Sequence, residues 1–329
     1  MTNIKDIDIF DKKILDLLLL QSNASLQVIS KKINRSKSFC SYRLKNLQNK
    51  KIIERIYPII DITKLGVYAL DLYIKTNMNE EIEKEFISNI ANSESVYYIE
   101  RLIGNYSIKI SIFSESINNS VETIKNYFKN YEDYIEDISF NIVNLMIKTQ
   151  NSLFQTFKSN KYFEFFKESE KLVLTKKEIV LLRNINDNLR SSILELSFKT
   201  KFSREFIAKT IDKFEKRKII VGYSADIDTE KLGYISKLFL IKLRFINKIK
   251  FAELIKNLIS ISNIQTITTY FPEDYLSLEI IFKNENELRN LQIKLLNEYK
   301  KYISEIKILD YYDEPKYSYM TDFLRTLPN

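Results

Sequence analysis

The sequence predicts an α+β protein made of two tandem copies of one plan: a winged helix-turn-helix domain followed by a βαββαβ, ferredoxin-like domain. Three observations carry this. Residues 25–51 hold two amphipathic helices, each preceded by a serine and separated by a tight turn. Residues 67–147 alternate between period-two and helical apolar patterns. The second half of the chain then repeats the first at a constant offset, and 329 residues are long enough for such an arrangement.

The first domain is expected over residues 1–66. Asp8 or Asp11 opens a helix with Phe10, Ile14, Leu17 and Leu18 facing inward. Ser25 and Ser36 can cap the next two helices, because a serine oxygen satisfies free backbone N–H groups at a helix start. Ile29 and Ile33 give the first of these an apolar side; Phe39, Cys40, Leu44 and Leu47 do the same for the second. The opposite side of the second carries Lys37, Ser38, Ser41, Tyr42 and Lys45. Those hydroxyls and amines suit base edges in a DNA major groove. Lys31, Lys32, Arg43, Lys50 and Lys51, as phosphate or framing contacts, and the capping Ser36 complete the candidate DNA-binding set. The β-branched run 52–60 reads as a strand or wing, with Pro58 suited to its edge.

Charge supports the same reading. The chain is formally +8, yet residues 31–64 alone hold ten Lys/Arg and two acids, so the remainder sums to zero. Basicity concentrated on one small module is an electrostatic footprint for a polyanion, here double-stranded DNA. The plainer alternative is a solvated basic face on an ordinary helical hairpin.

The domain expected over residues 67–147 runs strand 67–75, helix 80–91, strands 96–102 and 107–113 around Gly104-Asn105, helix 121–131 and strand 135–147. That order is βαββαβ. Residues 148–173 form a connector too aromatic for a free linker, and a docking helix is expected there. Aligning Glu178 with Asp11 gives an offset of 167, which also places Ser192 on Ser25, Ser203 on Ser36, Phe214 on Leu47, Asp228 on Asp61 and Gly233 on Gly66. A second helix-turn-helix is therefore expected over residues 174–233, and a second βαββαβ domain with a tail over residues 234–329. The tail 318–323 echoes 152–157. The second recognition helix, 203–218, carries Glu205, Asp212 and Glu215 among its cations, and Thr210 where the first has Arg43. Acids facing phosphate repel DNA, so copy two is expected to be a weaker reader or a structural partner.

These residues resemble the Lrp/AsnC (feast/famine) family of transcriptional regulators. The opening Ile7-Asp8-Ile9-Phe10-Asp11-Lys12-Lys13-Ile14-Leu15 is similar to the family's Leu-Asp-x-x-Asp-x-x-Ile-Leu. The likeness continues without gaps through Ser25, Lys31-Lys32, Ser36, Arg43, Leu47, Ile52-Ile53, Asp61, Lys64, Leu65 and Gly66. There are departures. Asn34-Arg35 stands for the usual Gly-Leu, and Lys51 for the usual helix-ending glycine. The resemblance implies a DNA-binding regulator with a ligand-sensing and dimerising second domain, and either a homo-oligomer or an intramolecular pseudo-dimer. It also implies a small effector such as an amino acid near a Gly-x-Tyr-Asp turn. Here that turn is Gly104-Asn105-Tyr106-Ser107, and the corresponding stretch of copy two ends in Tyr275. The alternative for both is a plain hairpin turn with a packed tyrosine. A scaffold protein whose helix-turn-helix only packs is a further reading.

Other classes are poorly served. The chain has no histidine, the commonest general base and metal ligand, so no catalytic residue, metal or cofactor is expected. Haem-precursor decarboxylation, an activity of some Lrp-like proteins, leans on histidine as the resemblance implies it. Four glycines leave no Gly-rich phosphate cradle. The one cysteine, Cys40, excludes an intrachain disulfide and fits a reducing cytoplasm. The run 17–20 is too short to cross a bilayer.

Overall fold

A computed structural model describes residues 7–157, 161–167, 170–187 and 193–317. The first module comprises α1 (Ile9–Leu20), α2 (Leu26–Ile33), α3 (Lys37–Asn49) and β1 (Ile53–Ile60). Asp8 caps α1 in a capping box with Asp11, and the hydroxyls of Ser25 and Ser36 accept the N–H groups of Val28 and Phe39. The first sheet domain follows as β2 (Tyr68–Thr76), α4 (Glu80–Ala91), β3 (Val96–Ile103), β4 (Ile108–Ser114), α5 (Ile117–Phe128) and β5 (Ile135–Thr149). Helix α5 starts four residues earlier than the pattern suggests, because Ser116 caps it by accepting the Asn119 N–H.

The connector is extended where a helix was expected. Its strand β6 (Tyr162–Phe165) pairs with β5, from Met146↔Phe165 to Thr149↔Tyr162. Left-handed residues Gln155 and Phe166 bend the backbone, so the aromatics are delivered one by one rather than along a helical face. Phe154 and Phe157 pack on the first helix-turn-helix core; Phe165 and Phe166 are buried with the second. Asp16, fully buried on α1, fastens this segment. It accepts hydrogen bonds from the Ser152 hydroxyl, the Phe154 N–H at 3.0 Å, and the Thr156 N–H and hydroxyl at 2.9 and 2.6 Å.

Copy two repeats the plan: α6 (Lys176–Asp187), α7 (Ile193–Thr200), α8 (Arg204–Lys216), β7 (Ile220–Ile227), β8 (Ile235–Leu243), α9 (Lys248–Ile259), β9 (Ile264–Phe271), β10 (Tyr275–Phe282), α10 (Glu285–Tyr299) and β11 (Ile303–Tyr317). Even its backbone repeats. Left-handed Asn34, Lys51 and Gly66 (φ 54, 52 and 75°) recur 167 residues on as Lys201, Lys218 and Gly233 (φ 62, 58 and 77°). The expected echo in the tail lies outside the described residues.

The two copies are joined by strand exchange. The first half of β5 pairs with β2, from Thr76↔Ile135 to Leu70↔Ile142; its second half pairs with β9, from Ile142↔Phe271 to Lys148↔Thr266. β11 does the converse, pairing with β8 up to Asp310↔Lys237 and then with β3 from Asp310↔Ile103. The order β5-β2-β4-β3-β11-β8-β10-β9 thus returns to β5 as a closed ring. β1 and β7 form a separate antiparallel pair centred on Tyr57↔Ser224, which are equivalent positions of the two copies. A pseudo-twofold axis therefore runs through one chain. Each helix-turn-helix rests on the other copy: the first core takes in Ala225, Leu232 and Tyr234, the second Tyr57, Ile59 and Leu65.

The faces where the two sheets meet hold a buried polar layer. Asp71, 1% exposed, accepts hydrogen bonds from Ser111 and from Tyr270 of the other copy (2.7 Å), and the Lys109 ammonium lies 3.8 Å away. Glu100, also buried, accepts from the Tyr98 hydroxyl at 2.6 Å. Burial pushes the Glu100 carboxyl up to about 8, with Lys109 pulling it down and the charges of Glu279 and Glu314 adding to the rise. A carboxyl raised on folding binds a proton as the chain folds. Its contribution to stability is complete below about pH 4.5, its unfolded value, and is lost as pH climbs toward 8. Glu100→Gln, which mimics the protonated form, is expected to match wild type at pH 4.5 and exceed it at pH 8 in denaturant unfolding. Parallel curves for the two proteins would refute this.

Candidate nucleic-acid interface

Helix α3 is held by its inner face: Cys40, Leu44 and Leu47 are buried against α1, α2 and β1. The turn before it works without the usual glycine because Asn34 takes the left-handed conformation. Arg35 does not enter the core. It stays exposed with its guanidinium 4.3 Å from the centroid of the Phe10 ring.

With the inner face spent on packing, Lys37, Ser38, Tyr42 and Lys45 project to solvent, and Tyr42 is 68% exposed. Ser41 is half-buried beside them. Ser36 is exposed but its oxygen is occupied as the helix cap. Lys31 and Lys32 on the last turn of α2, and Lys51 just past α3, flank this face and are also exposed. Lys31, Lys32, Lys37 and Lys45 have no ion-pair partner among the described residues. Gln48, exposed one turn beyond Lys45, belongs to the same face. The spacing 38, 41, 45, 48 could have identified it, and a glutamine amide suits an adenine edge.

Arg43 and Lys50, expected on phosphates or the frame of the site, lie against α1. Arg43 pairs with Asp8 at 2.7 Å and Asp11 at 3.2 Å, and lies 5.1 Å from the Phe39 ring centroid. Lys50 is half-buried, and its charge also acts on Asp11. Both turn toward α1, because position 43 shares a helical side with Cys40 and Leu47. Burial pushes the Asp11 carboxyl above the usual carboxylate range, while Arg43 and Lys50 pull it back. In copy two Thr210 takes the place of Arg43, and Lys213 reaches Glu178 instead.

Of the second candidate set, Gly104, Tyr106 and Ser107 share one turn between β3 and β4, and Tyr275 opens β10. Gly104 has φ +141°, and a Cβ there would meet the Leu309 side chain at 2.8 Å and the Ile308 carbonyl at 3.1 Å, so glycine is required by the approach of β11. Tyr106 is buried, with Lys307 3.4 Å from its hydroxyl; Ser107 accepts from the Thr76 N–H at 3.4 Å. Tyr275 is half-buried, with Lys242 5.5 Å from its ring centroid. No metal-holding cluster of acids or cysteine occurs among the described residues, and none of their helices is long and apolar enough to cross a membrane.

The Arg43 pairs separate stability from binding. Arg43→Ala strands a buried Asp11 and is expected to lower unfolding free energy on the order of 2 kcal/mol. Lys37→Ala should change it by less than about 0.5 kcal/mol. Equal effects in urea titrations would contradict these placements.

The comparisons agree with this geometry. A family model for winged helix-turn-helix DNA-binding domains matches residues 7–54. An uncharacterised HTH-type transcriptional regulator of Pyrococcus furiosus is 28% identical over 123 residues, 37% of this chain and 79% of that protein. The transcriptional regulator AzlB of Bacillus subtilis is 33% identical over 113 residues, 34% of this chain and 72% of its own length. Among solved structures, the sirohaem decarboxylase NirDL superimposes with a TM-score of 0.63 at 13% identity over 96% of both chains, a likeness of fold alone. The two regulators match about one copy each, whereas the structural likeness spans both. The chain belongs to the Lrp/AsnC family of transcriptional regulators, with two family units fused in one polypeptide.

Proposed function

We propose that this protein regulates transcription by laying α3 in the major groove of double-stranded DNA. Lys37, Ser38, Ser41, Tyr42, Lys45 and Gln48 would face base edges, with Lys31, Lys32 and Lys51 on the phosphates. One observation supports this most: the cations on the outer side of α2 and α3 have no acidic partner among the described residues, although the chain holds 43 acids. A surface of that kind gains by replacing condensed counterions on a duplex.

The fold is shared with a decarboxylase, but we read this chain as a regulator and not an enzyme. It has no histidine to serve the proton transfers that such chemistry needs. A small effector such as an amino acid, acting through the ferredoxin-like domains, a homo-oligomeric state and a cytoplasmic location belong to the same proposal. The family habit of effector control supports the first.

Binding to promoter DNA should weaken steeply with salt. Lys31→Ala combined with Lys32→Ala should make the slope of log K against log[salt] shallower by about 2. A salt-independent affinity, or an unchanged slope in the double variant, would overturn the proposal.

A further inference from the structure

The pseudo-twofold axis invites the assumption that both recognition helices read DNA alike. Their surfaces differ. Residues 25–51 hold eight cations and no acid; the equivalent 192–218 hold eight cations and four acids. Position by position on the outer face, Lys37, Ser38, Ser41, Tyr42, Lys45 and Gln48 become Arg204, Glu205, Ala208, Lys209, Asp212 and Glu215. The α8 charges are also engaged with one another. Lys209 pairs with Glu205 and Lys216 with Asp212, each at 2.7 Å, and Glu215 accepts the Tyr223 hydroxyl. Carboxylates can accept from cytosine, but these have partners already and would meet two rows of phosphates. On the neighbouring helix, the Lys31 position is Phe198, 67% exposed.

The dyad is covalent and closed. The exchanged β5 and β11, with the β1–β7 pair, fix α3 and α8 as the two helices one chain presents across its axis. A second α3 can come only from a second chain.

We infer that each chain recognises a single, asymmetric DNA half-site through α3, and that the second helix-turn-helix contributes no base reading. This rests on the DNA reading of α3 proposed above. The family geometry of two equal readers on a palindrome is thereby reduced to one motif per bound chain.

The test is selection from a random-sequence duplex library with the full chain, followed by measurement of chain-to-duplex stoichiometry for the enriched sequences. One motif copy per bound chain is expected, whether one chain sits on a single motif or two chains on a palindrome. Two equal motif copies per bound chain would overturn the inference. Absence of any enriched motif would overturn the α3 reading itself. On the enriched duplex, the charge-neutral pair Glu205→Ala with Lys209→Ala should change affinity by less than about threefold, whereas Lys37→Ala with Lys45→Ala should lower it by about tenfold or more. Comparable losses in both variants would also overturn the inference. Thermal unfolding of each variant shows whether a loss is only misfolding.

Discussion

Backbone pairing across the two copies is the constraint on which the molecule depends. A four-stranded sheet of either copy alone would leave a row of unpaired N–H and C=O groups along its outer strands. β5 and β11 are each fifteen residues long, enough to finish the sheet of their own copy and then continue beside β9 or β3 of the other. The eight strands close on one another in a ring, and β6 adds outside it on β5. Everything that concerns DNA is mounted on this frame. The helix-turn-helix domains are cross-braced, each using the other copy's wing and hinge residues as part of its core.

Fusing two copies freed the halves to diverge. Asp71 and Tyr73 lie buried where the sheets meet, while the residues 167 positions later are Leu238 and Leu240. The polar layer is therefore unequal, with Asp71, Glu100 and Lys109 of copy one buried in it and copy two supplying the hydroxyls of Tyr270 and Ser277. A buried network that must be completed by the opposite copy discriminates against pairing of like halves, because two copy-one faces would bring buried charges together without these partners. The same inequality appears at the outer surface, where Lys37 and Lys45 of α3 have no ion-pair partner among the described residues and α8 pairs its own charges.

Much of this was legible in the residues. The serine caps, the period of the apolar positions and the offset of 167 locate the repeated elements, because these signals are local and each residue states its own requirement. Strand exchange was not legible: pairing is a property of two segments, and only the length of the apolar runs ending at Thr149 and Tyr317 hinted at it. The connector misled because aromatic density resembles a docking helix, although the alternation in Tyr162–Phe165 is that of a strand. The pairing of Arg43 with Asp8 and Asp11 was harder to read, because its charge alone suits a phosphate. Its place one turn from Cys40 and Leu47 already pointed it at the acids of α1.

The most direct measurement is DNA cleavage from a tethered iron chelate. Cys40 is buried, so a thiol introduced by Ser38→Cys is the one available for labelling. Bound to its promoter, that protein should cut the duplex within a few base pairs at one position, since Ser38 sits on the exposed face of α3. A chain that binds the promoter yet leaves it uncut from this position would contradict the account.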